Sequence, residues 1–398
     1  MSSGVPQNLA IIGGGIVGLA TAYKFQRRYP DSRVRIFEKE PAVAKHQSTH
    51  NSGVLHSGLH YQPGSLKAKL AVDGIRQMVT FCGRFRVDHE ICGKVVVAVT
   101  EDEIPRLKDL FERGTANGLS GLRWLDPAGI RELEPHAAGV AGIHVPEEGI
   151  VDYAGVCAAL ETEIKAEGGE VLVDHPVTGL DFSRGKWHIE TPAGDDEADF
   201  VINCAGLFSD RVYELTGRKR STRIIPFRGE YFKLNEEGAK LVRNLIYPVP
   251  DPQFPFLGVH FTRMIHGGIE AGPNAVLATK REGYTMSDFA LGDVVDIFTF
   301  GGFWKFLAKY PSMSFYEFKR SLSPAEFCRS LQRLVPGVEL KHLSPGGAGV
   351  RAQAITADGS LVHDFELVRV ESSLHLVSAP SPAATASLAI ADYILDQI

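Results

Sequence analysis

The glycines that follow the first apolar run have the spacing of a phosphate-binding turn. Residues 9–12 read as a buried strand, and Gly13, Gly15 and Gly18 lead from it into a segment of helical periodicity. Glycine permits a tight turn and a close backbone approach, so that the first amide groups of the helix can face a pyrophosphate. Glu38 ends the next predicted strand, where a carboxylate accepts hydrogen bonds from a ribose. The pattern predicts NAD or FAD rather than NADP, because Glu38 would repel a 2′-phosphate.

A histidine-rich loop follows the predicted ribose-binding strand. His46, His50, His56 and His60 lie within residues 46–66, among serines, glycines and an asparagine. Their spacings mix four and six residues, with no helix to align them and no interleaved acid, so we expect no metal here. Two interpretations remain: loop histidines with ordinary hydrogen bonds, or imidazole and backbone donors that face a flavin ring.

The elements around these residues predict a cofactor domain that is discontinuous in the chain. Segments 66–82 and 153–167 read as helices, and the apolar strand 200–203 runs into Cys204, Ala205 and Gly206 after a long excursion. NAD dehydrogenases commonly complete their nucleotide sheet in consecutive βα units, so this late return favours FAD. A last helix over 383–395 could direct its positive end at a reduced flavin.

A second domain is predicted from alternating segments. Segments 226–234, 244–250, 256–263 and 269–280 read as strands, and alternation along 256–263 puts His260 and Arg263 on opposite faces. The predicted fold class is α/β, with a doubly wound, Rossmann-like FAD-binding domain and a substrate domain of mostly antiparallel sheet. We expect the first to comprise residues 1–85, 145–222 and 341–398, and the second residues 86–144 and 223–340.

Composition narrows the classes of partner. The net charge of −6 and the absence of a basic, aromatic-interleaved patch argue against nucleic acid, and so against a flavin-dependent tRNA-modifying protein. Five cysteines without a CxxC motif predict neither disulfides nor zinc. Without a signal-peptide pattern or a spanning apolar run, we expect a cytoplasmic location, with peripheral contact to the inner membrane as an option. The aromatic segment 296–313 suits core, an oligomer contact or an interfacial helix.

Several motifs, in order, carry a family resemblance: HNSGVLHSGLHYQPGSLKA, PFRGEYF, FLGVHFTRMIHGGIEAGPNAVLA, KREGY, GVRAQA and APSPAATASLAI. From Leu9 to about Ile394 the chain resembles the L-2-hydroxyglutarate oxidase or dehydrogenase family, FAD enzymes of the D-amino-acid oxidase superfamily. It departs at His266, where an aspartate is expected, and over 289–313, where no family motif is evident.

The resemblance implies oxidation of L-2-hydroxyglutarate to 2-oxoglutarate, with hydride transfer from the α-carbon to flavin N5. The electrons would pass to quinone or O2, and bacterial members would be membrane-associated. The alternative is a related FAD oxidoreductase that acts on an amino acid, glycerol 3-phosphate or another 2-hydroxy acid.

This chemistry requires a base and cationic groups for a dicarboxylate. A neutral imidazole suits the base, and His56 or His260 is favoured over His60. Arginine pairs with carboxylate through two parallel hydrogen bonds, which favours Arg263 and Arg351 as clamps. Further candidates for substrate binding are Arg228, Lys280 and Tyr61.

The expected cofactor-binding residues lie in four parts of the chain. The glycine turn and second strand contribute Gly13, Gly15, Ile16, Val17, Gly18, Glu38 and Lys39, and the histidine loop contributes His46, Ser48, His50, Asn51, Ser52 and Gly53. The middle of the chain contributes Val177, Ala205 and Gly206, and the C-terminal part contributes Gly349, Arg351, Ser381, Pro382, Ala383, Ala384 and Thr385.

Overall fold

The computed structural model describes residues 5–251, 258–310 and 323–398. Numbered along the chain, the strands are β1 Asn8–Ile12, β2 Arg33–Phe37, β3 Val54–Leu55, β4 His89–Glu90, β5 Lys94–Ala98, β6 Arg123–Leu125, β7 Ala141–Val145, β8 Gly149–Val151, β9 Glu170–Leu172, β10 Gly179–Ser183, β11 Lys186–Glu190, β12 Asp196–Ala198, β13 Phe200–Asn203, β14 Thr222–Leu234, β15 Leu245–Pro248, β16 His260–Arg263, β17 Ile269–Gly272, β18 Val276–Leu277, β19 Leu343–Thr356, β20 Glu366–Val370 and β21 Ser373–Ser378. The α-helices are α1 Ile16–Arg28, α2 Leu66–Phe85, α3 Ile104–Ala116, α4 Pro127–Leu133, α5 Tyr153–Ala166, α6 Ser209–Glu214, α7 Glu236–Ala239, α8 Leu291–Phe298, α9 Gly301–Lys309, α10 Pro324–Gln332 and α11 Ser387–Leu395.

A mostly parallel sheet forms one half of the molecule, with the strand order β20-β21-β13-β1-β2-β9. Strand β1 pairs in parallel with β2 and β13, whereas β20 runs antiparallel to β21. Leu9 and Ile11 are fully buried in one core with residues of α1, α5 and α11. Ala10 and Val201 belong to the core on the other face, which includes Trp187 of the antiparallel ribbon β10-β11-β12. Because both faces are covered, the central strands β1 and β13 carry the continuous apolar runs 9–12 and 200–202 rather than an alternating pattern.

The carboxyl ends of β1, β2 and β13 meet at one edge of this sheet. The Gly13 N–H donates to the Phe37 carbonyl (2.8 Å), and the Cys204 N–H donates to the Ile12 carbonyl (2.8 Å). Gly13 has φ +108°, a left-handed conformation in which a side chain would be strained. The turn into α1 is therefore fixed between two neighbouring strands, at the edge where open α/β sheets bind ligands.

A large, mostly antiparallel sheet forms the other half, with the strand order β18-β14-β17-β16-β15-β5-β7-β6. Strand β19 pairs with the remaining edge of β14 over its whole length, from Thr222 opposite Thr356 to Leu234 opposite Leu343. We expected residues 341–356 within the cofactor domain. In the structure residues 343–356 form β19, which pairs along β14 of the large sheet.

Several predicted elements have different bounds in the structure. The predicted strand 269–280 divides into β17 and β18 at Pro273, which has no N–H to donate to a neighbouring strand. The predicted C-terminal helix begins at Ser387 rather than at residue 383. The aromatic segment 296–313 contributes to α8 and α9, and its residues 311–313 lie outside the described ranges. The predicted strand 256–263 contains β16, and its residues 256–257 also lie outside the described ranges.

No helix within the described ranges combines the length and the apolar character that crossing a membrane requires.

Candidate active site

A cavity of about 810 Å³ lies between the carboxyl edge of the parallel sheet and the large sheet. The parallel sheet contributes Gly13 and Glu38 to its lining, and the large sheet contributes Tyr231, His260 and Arg351. A volume of this size falls in the upper part of the range for cofactor and substrate pockets, about 300–1,000 Å³.

The first end of the cavity is built from the glycine turn. A Cβ on Gly13 would lie 2.6 Å from the Cys204 carbonyl oxygen, and a Cβ on Gly18 would lie 2.0 Å from the Gly13 carbonyl oxygen, so neither position has room for a side chain. The carboxylate of Glu38 accepts hydrogen bonds from the N–H groups of Gly14 (2.7 Å) and Glu40 (2.9 Å), which orients it at the cavity wall. This arrangement fits an adenine dinucleotide, with the pyrophosphate at the start of α1 and the ribose at Glu38.

The histidine loop and the C-terminal segment meet at the other end. A Cβ on Gly349 would lie 2.3 Å from the His50 carbonyl oxygen, so glycine allows β19 to contact the loop. Thr385 Oγ1 hydrogen-bonds Tyr153 Oη (2.7 Å) and accepts from the His56 N–H (3.3 Å). These contacts join two distant parts of the chain into a wall that fits the flavin end of the same cofactor.

The structure brings together nearly all of the predicted cofactor-binding residues. Gly18 and Gly53 do not line the cavity, although Gly18 supports the turn from behind. The lining includes Gly13, Gly15, Ile16, Val17, Glu38, Lys39, His46, Ser48, His50, Asn51, Ser52, Val177, Ala205, Gly206, Gly349, Arg351, Ser381, Pro382, Ala383, Ala384 and Thr385.

One cluster at the cavity wall has the residue types of a metal site. The nearest ligand atoms of Glu40, His46 and Glu282 all lie within 4.8 Å of one another. The Lys39 ammonium contacts both carboxylates, at 2.6 Å from Glu282. Burial lowers the pKa of His46, but its hydrogen bonds to Glu282 and Glu40 outweigh this and raise it above the usual value. Lys39 and His46 thus supply the positive charge that these carboxylates need.

His260 lines the large-sheet side of the cavity and has a defined tautomer. Its Nδ1 lies 2.9 Å from the Gly258 carbonyl oxygen, so Nδ1 carries the hydrogen and Nε2 is left as an acceptor. The ring stacks on Tyr247, with centroids 3.9 Å apart. Burial lowers the pKa of His260 to about 3, which keeps the imidazole neutral.

His56 lies beside a buried ion pair that the sequence did not indicate. Glu148 and Lys94 are both fully buried, and their charged groups are 2.6 Å apart. His56 Nδ1 lies 3.8 Å from the Glu148 carboxylate, which also accepts hydrogen bonds from the Ser57 hydroxyl (2.9 Å) and N–H (3.3 Å). Burial raises the pKa of Glu148, but Lys94 and His56 hold it well below its usual range, so the pair is ionised.

Of the predicted substrate-binding residues, Tyr61 and Arg351 line the cavity, whereas Arg228, Arg263 and Lys280 do not. The Arg263 guanidinium pairs with Glu90 (2.5 Å), and Arg263 lies on the face of β16 opposite His260. Arg228 pairs with Glu230 (3.0 Å), and the half-buried Lys280 lies outside the lining.

Three tyrosines in the lining, Tyr153, Tyr231 and Tyr247, were missed from sequence. Tyr231 could have been found, because alternation along β14 puts Gly229 and Tyr231 on one face and Arg228 and Glu230 on the other. For Tyr247 we find no comparable signal, since an aromatic residue in an apolar strand is ordinary core.

The chain matches the family model described as FAD dependent oxidoreductase over residues 8–397. It is 48% identical over 381 residues to an L-2-hydroxyglutarate dehydrogenase of Indibacter alkaliphilus, with 96% of each chain covered. It is 41% identical to the mitochondrial L-2-hydroxyglutarate dehydrogenase of Homo sapiens, with 98% of this chain and 88% of the human chain covered.

In fold it is similar to the solved structure of an L-alpha-glycerophosphate oxidase from Mycoplasma pneumoniae with FAD bound. The TM-score is 0.79 and the identity 22%, with 98% of this chain and 93% of that chain covered. These comparisons confirm the predicted family resemblance, the fold class and FAD as the cofactor.

Proposed function

The chain belongs to the FAD-dependent oxidoreductase family and, within it, to the L-2-hydroxyglutarate dehydrogenases, and on this premise we propose that it oxidises the α-hydroxyl of L-2-hydroxyglutarate to 2-oxoglutarate. One observation carries the proposal. Arg351 and two histidines, His56 and His260, line the same cavity as the glycine turn and Glu38. An arginine for an acid and an imidazole for a hydroxyl proton are the groups that a 2-hydroxy acid requires at such a site.

Arg351 is the proposed partner of the carboxylate next to the reacting carbon. It lies on β19 opposite Phe227 of β14. Its positive charge acts to lower the pKa values of both His260 and Tyr231. A carboxylate paired with this guanidinium would therefore bring its α-hydroxyl close to an imidazole. Lys67 and Arg113 also line the cavity and are available to the second carboxylate of a dicarboxylic acid.

The proton of the substrate hydroxyl goes to a histidine of the cavity. Bound FAD supplies the hydride acceptor, the N5 atom of its ring. His260 offers Nε2 as the acceptor for the proton because its Nδ1 is engaged with a backbone carbonyl. His56 is the second candidate, with its Nδ1 toward the carboxylate of Glu148. The aromatic rings of Tyr231 and Tyr247 help to exclude water from this end.

Quinone or O2 is the proposed electron acceptor. We further propose that the protein contacts a membrane surface through α8 and α9. Leu291, Val295 and Phe298 recur along one face of α8 and are 67%, 50% and 43% exposed, and Trp304 of α9 packs against Phe298. Such an exposed apolar surface, here called the apolar patch, is typical of interaction with a lipid surface or another apolar partner.

The proposal is tested by mixing the FAD-loaded protein with L-2-hydroxyglutarate in the absence of oxygen. We expect the visible absorption of oxidised flavin to disappear, and 2-oxoglutarate to form in equal amount. Parallel mixing with glycerol 3-phosphate, an L-amino acid and L-lactate ranks the alternatives by kcat/KM. A preference for any of these over L-2-hydroxyglutarate would refute the substrate assignment while leaving the cofactor assignment intact. Adding air or a soluble quinone to the reduced protein then identifies the acceptor.

A further inference from the structure

The buried Lys94–Glu148 pair lies between two cavity histidines. Its carboxylate faces one of them and its ammonium faces the other. The Glu148 carboxylate lies 3.8 Å from His56 Nδ1, and the Lys94 ammonium lies 3.5 Å from His60 Nε2. Glu148 is held in place by hydrogen bonds from Ser57 and by Lys94. Two fully buried ionised side chains are costly unless they are paired, so the pair must remain together in the fold.

This charge arrangement makes the two imidazoles different. The Glu148 carboxylate faces Nδ1 of His56, whereas burial and the nearby Lys94 charge hold the pKa of His60 well below its usual value. A general base has to become cationic when it accepts a proton. His56 is therefore suited to this step, and His60 is suited to remain neutral.

We propose that Glu148 is a positioning residue for His56, which is the base of the reaction. The Glu148 carboxylate faces His56 Nδ1 at 3.8 Å and keeps that edge of the ring toward itself, so that Nε2 is the nitrogen left to accept the substrate's hydroxyl proton. In this step the substrate O–H bond breaks and an Nε2–H bond forms. Bound FAD would supply the acceptor for the hydrogen and electron pair of the α C–H bond as the C=O bond forms. The inference rests on the proposed function and goes beyond it, because that function names both His260 and His56 as candidate bases and gives no role to Glu148.

The other groups around His56 do not supply the same stabilisation. Lys94 carries a positive charge, and burial keeps the imidazoles of His60 and His260 neutral. Among the described residues, the Glu148 carboxylate is the anionic group that faces His56 Nδ1. Its removal should disturb the orientation of His56 more than the loss of either neighbouring imidazole.

The test is the pH dependence of kcat/KM in Glu148→Gln, with Glu134→Gln as the matched control. Glu134 is also a buried carboxylate; it accepts hydrogen bonds from the N–H groups of Arg243 and Asn244 and lies outside the cavity lining. We expect Glu148→Gln to move the acidic limb to lower pH by about one unit, and to lower the plateau about tenfold to a hundredfold, because a weaker, less well oriented base remains. In Glu134→Gln the acidic limb should stay where it is in the unmodified protein.

A second variant keeps the test valid if Lys94 without its partner prevents folding. In the double variant K94M/E148Q neither charge remains, and we expect an acidic limb between those of the unmodified protein and Glu148→Gln. FAD content and the thermal midpoint are measured for each variant. An acidic limb that does not move in an FAD-loaded Glu148 variant would overturn the proposal.

Failure of the proposed function would look different. In that case the unmodified protein would not be reduced by L-2-hydroxyglutarate, and the pH profiles would be measured with whichever acid or alcohol reduces it. An unmoved acidic limb with such a substrate would still reject the role of Glu148. A moved limb would support that role with a corrected substrate.

Discussion

Substitution of Gly18 by alanine sets two physical effects against each other. Gly18 lies within α1, where alanine is intrinsically favoured over glycine by about 1 kcal/mol. Its added Cβ, however, would lie 2.0 Å from the Gly13 carbonyl oxygen and 3.4 Å from the Ile11 side chain. Carbon and oxygen normally make contact at about 3.3 Å or more, so α1 must move away by about 1 Å. Overpacking of this kind typically costs about 1–3 kcal/mol, so the contact should outweigh the propensity.

The displacement should weaken FAD binding, because the first amides of α1 would leave their positions beside Gly15. A loss of about 1–3 kcal/mol corresponds to a dissociation constant raised about fivefold to a hundredfold. The assay is titration of the apoprotein with FAD, followed by flavin fluorescence, with thermal unfolding measured with and without FAD. The matched control is Gly83→Ala in α2, where the added Cβ would have no atom within 4 Å.

The expected results have opposite signs in the two variants. Gly18→Ala should lower the thermal midpoint and weaken FAD binding, whereas Gly83→Ala should leave FAD binding unchanged and raise the midpoint slightly. If Gly18→Ala bound FAD like the unmodified protein and melted at a higher temperature, the close approach of α1 to the glycine turn would not be what this position requires.

Three further results are expected. Arg351→Met should raise KM for the acid substrate about tenfold to a hundredfold in steady-state kinetics, because a charge-assisted hydrogen bond is worth about 1.5–3 kcal/mol, whereas Arg263→Met should leave KM unchanged because that guanidinium pairs with Glu90. Burial lowers the pKa of His375 from 6.5 to about 4, so as the pH falls the unfolded chain binds a proton before the folded chain does. The free energy of unfolding, measured in urea, should therefore fall by up to about 3 kcal/mol between pH 6.5 and pH 4. The fall should be smaller in His375→Gln. Finally, serine at Leu291 and Phe298 should reduce co-sedimentation with anionic liposomes without changing flavin reduction; equal co-sedimentation would argue against lipid contact by the apolar patch.

Local patterns predicted the parts of the fold in which neighbours in sequence are also neighbours in space. The turn from β1 into α1 depends on glycines a few residues apart, and Glu38 lies at the end of the next strand. Their placement therefore follows from backbone geometry alone. The pairing of β19 with β14 could not be predicted in this way, because the two strands are distant in sequence and either could have joined another edge.

The candidate site shows the same limit. The alternation that placed His260 and Arg263 on opposite faces already meant that both could not reach one cavity, so Arg263 could have been set aside from sequence. The Lys94–Glu148 pair had no such signal. The two residues come from separate segments, and only the folded chain brings their charges to 2.6 Å.

Strand β19 carries both Gly349, which touches the histidine loop, and Arg351, two residues further along. Strand β19 is hydrogen-bonded to β14 along its length. The distance between these two positions is therefore fixed by the extended backbone of the strand, without a hinge between them. An acid bound at Arg351, as proposed, would therefore have its first carbons at a fixed distance from the histidine loop, whatever the length of its chain. The part of the cavity lining that contacts the far end of the acid would then discriminate between short and long acids. Substitutions that change the size of that part should change the preferred chain length, while the chemistry near Arg351 stays the same.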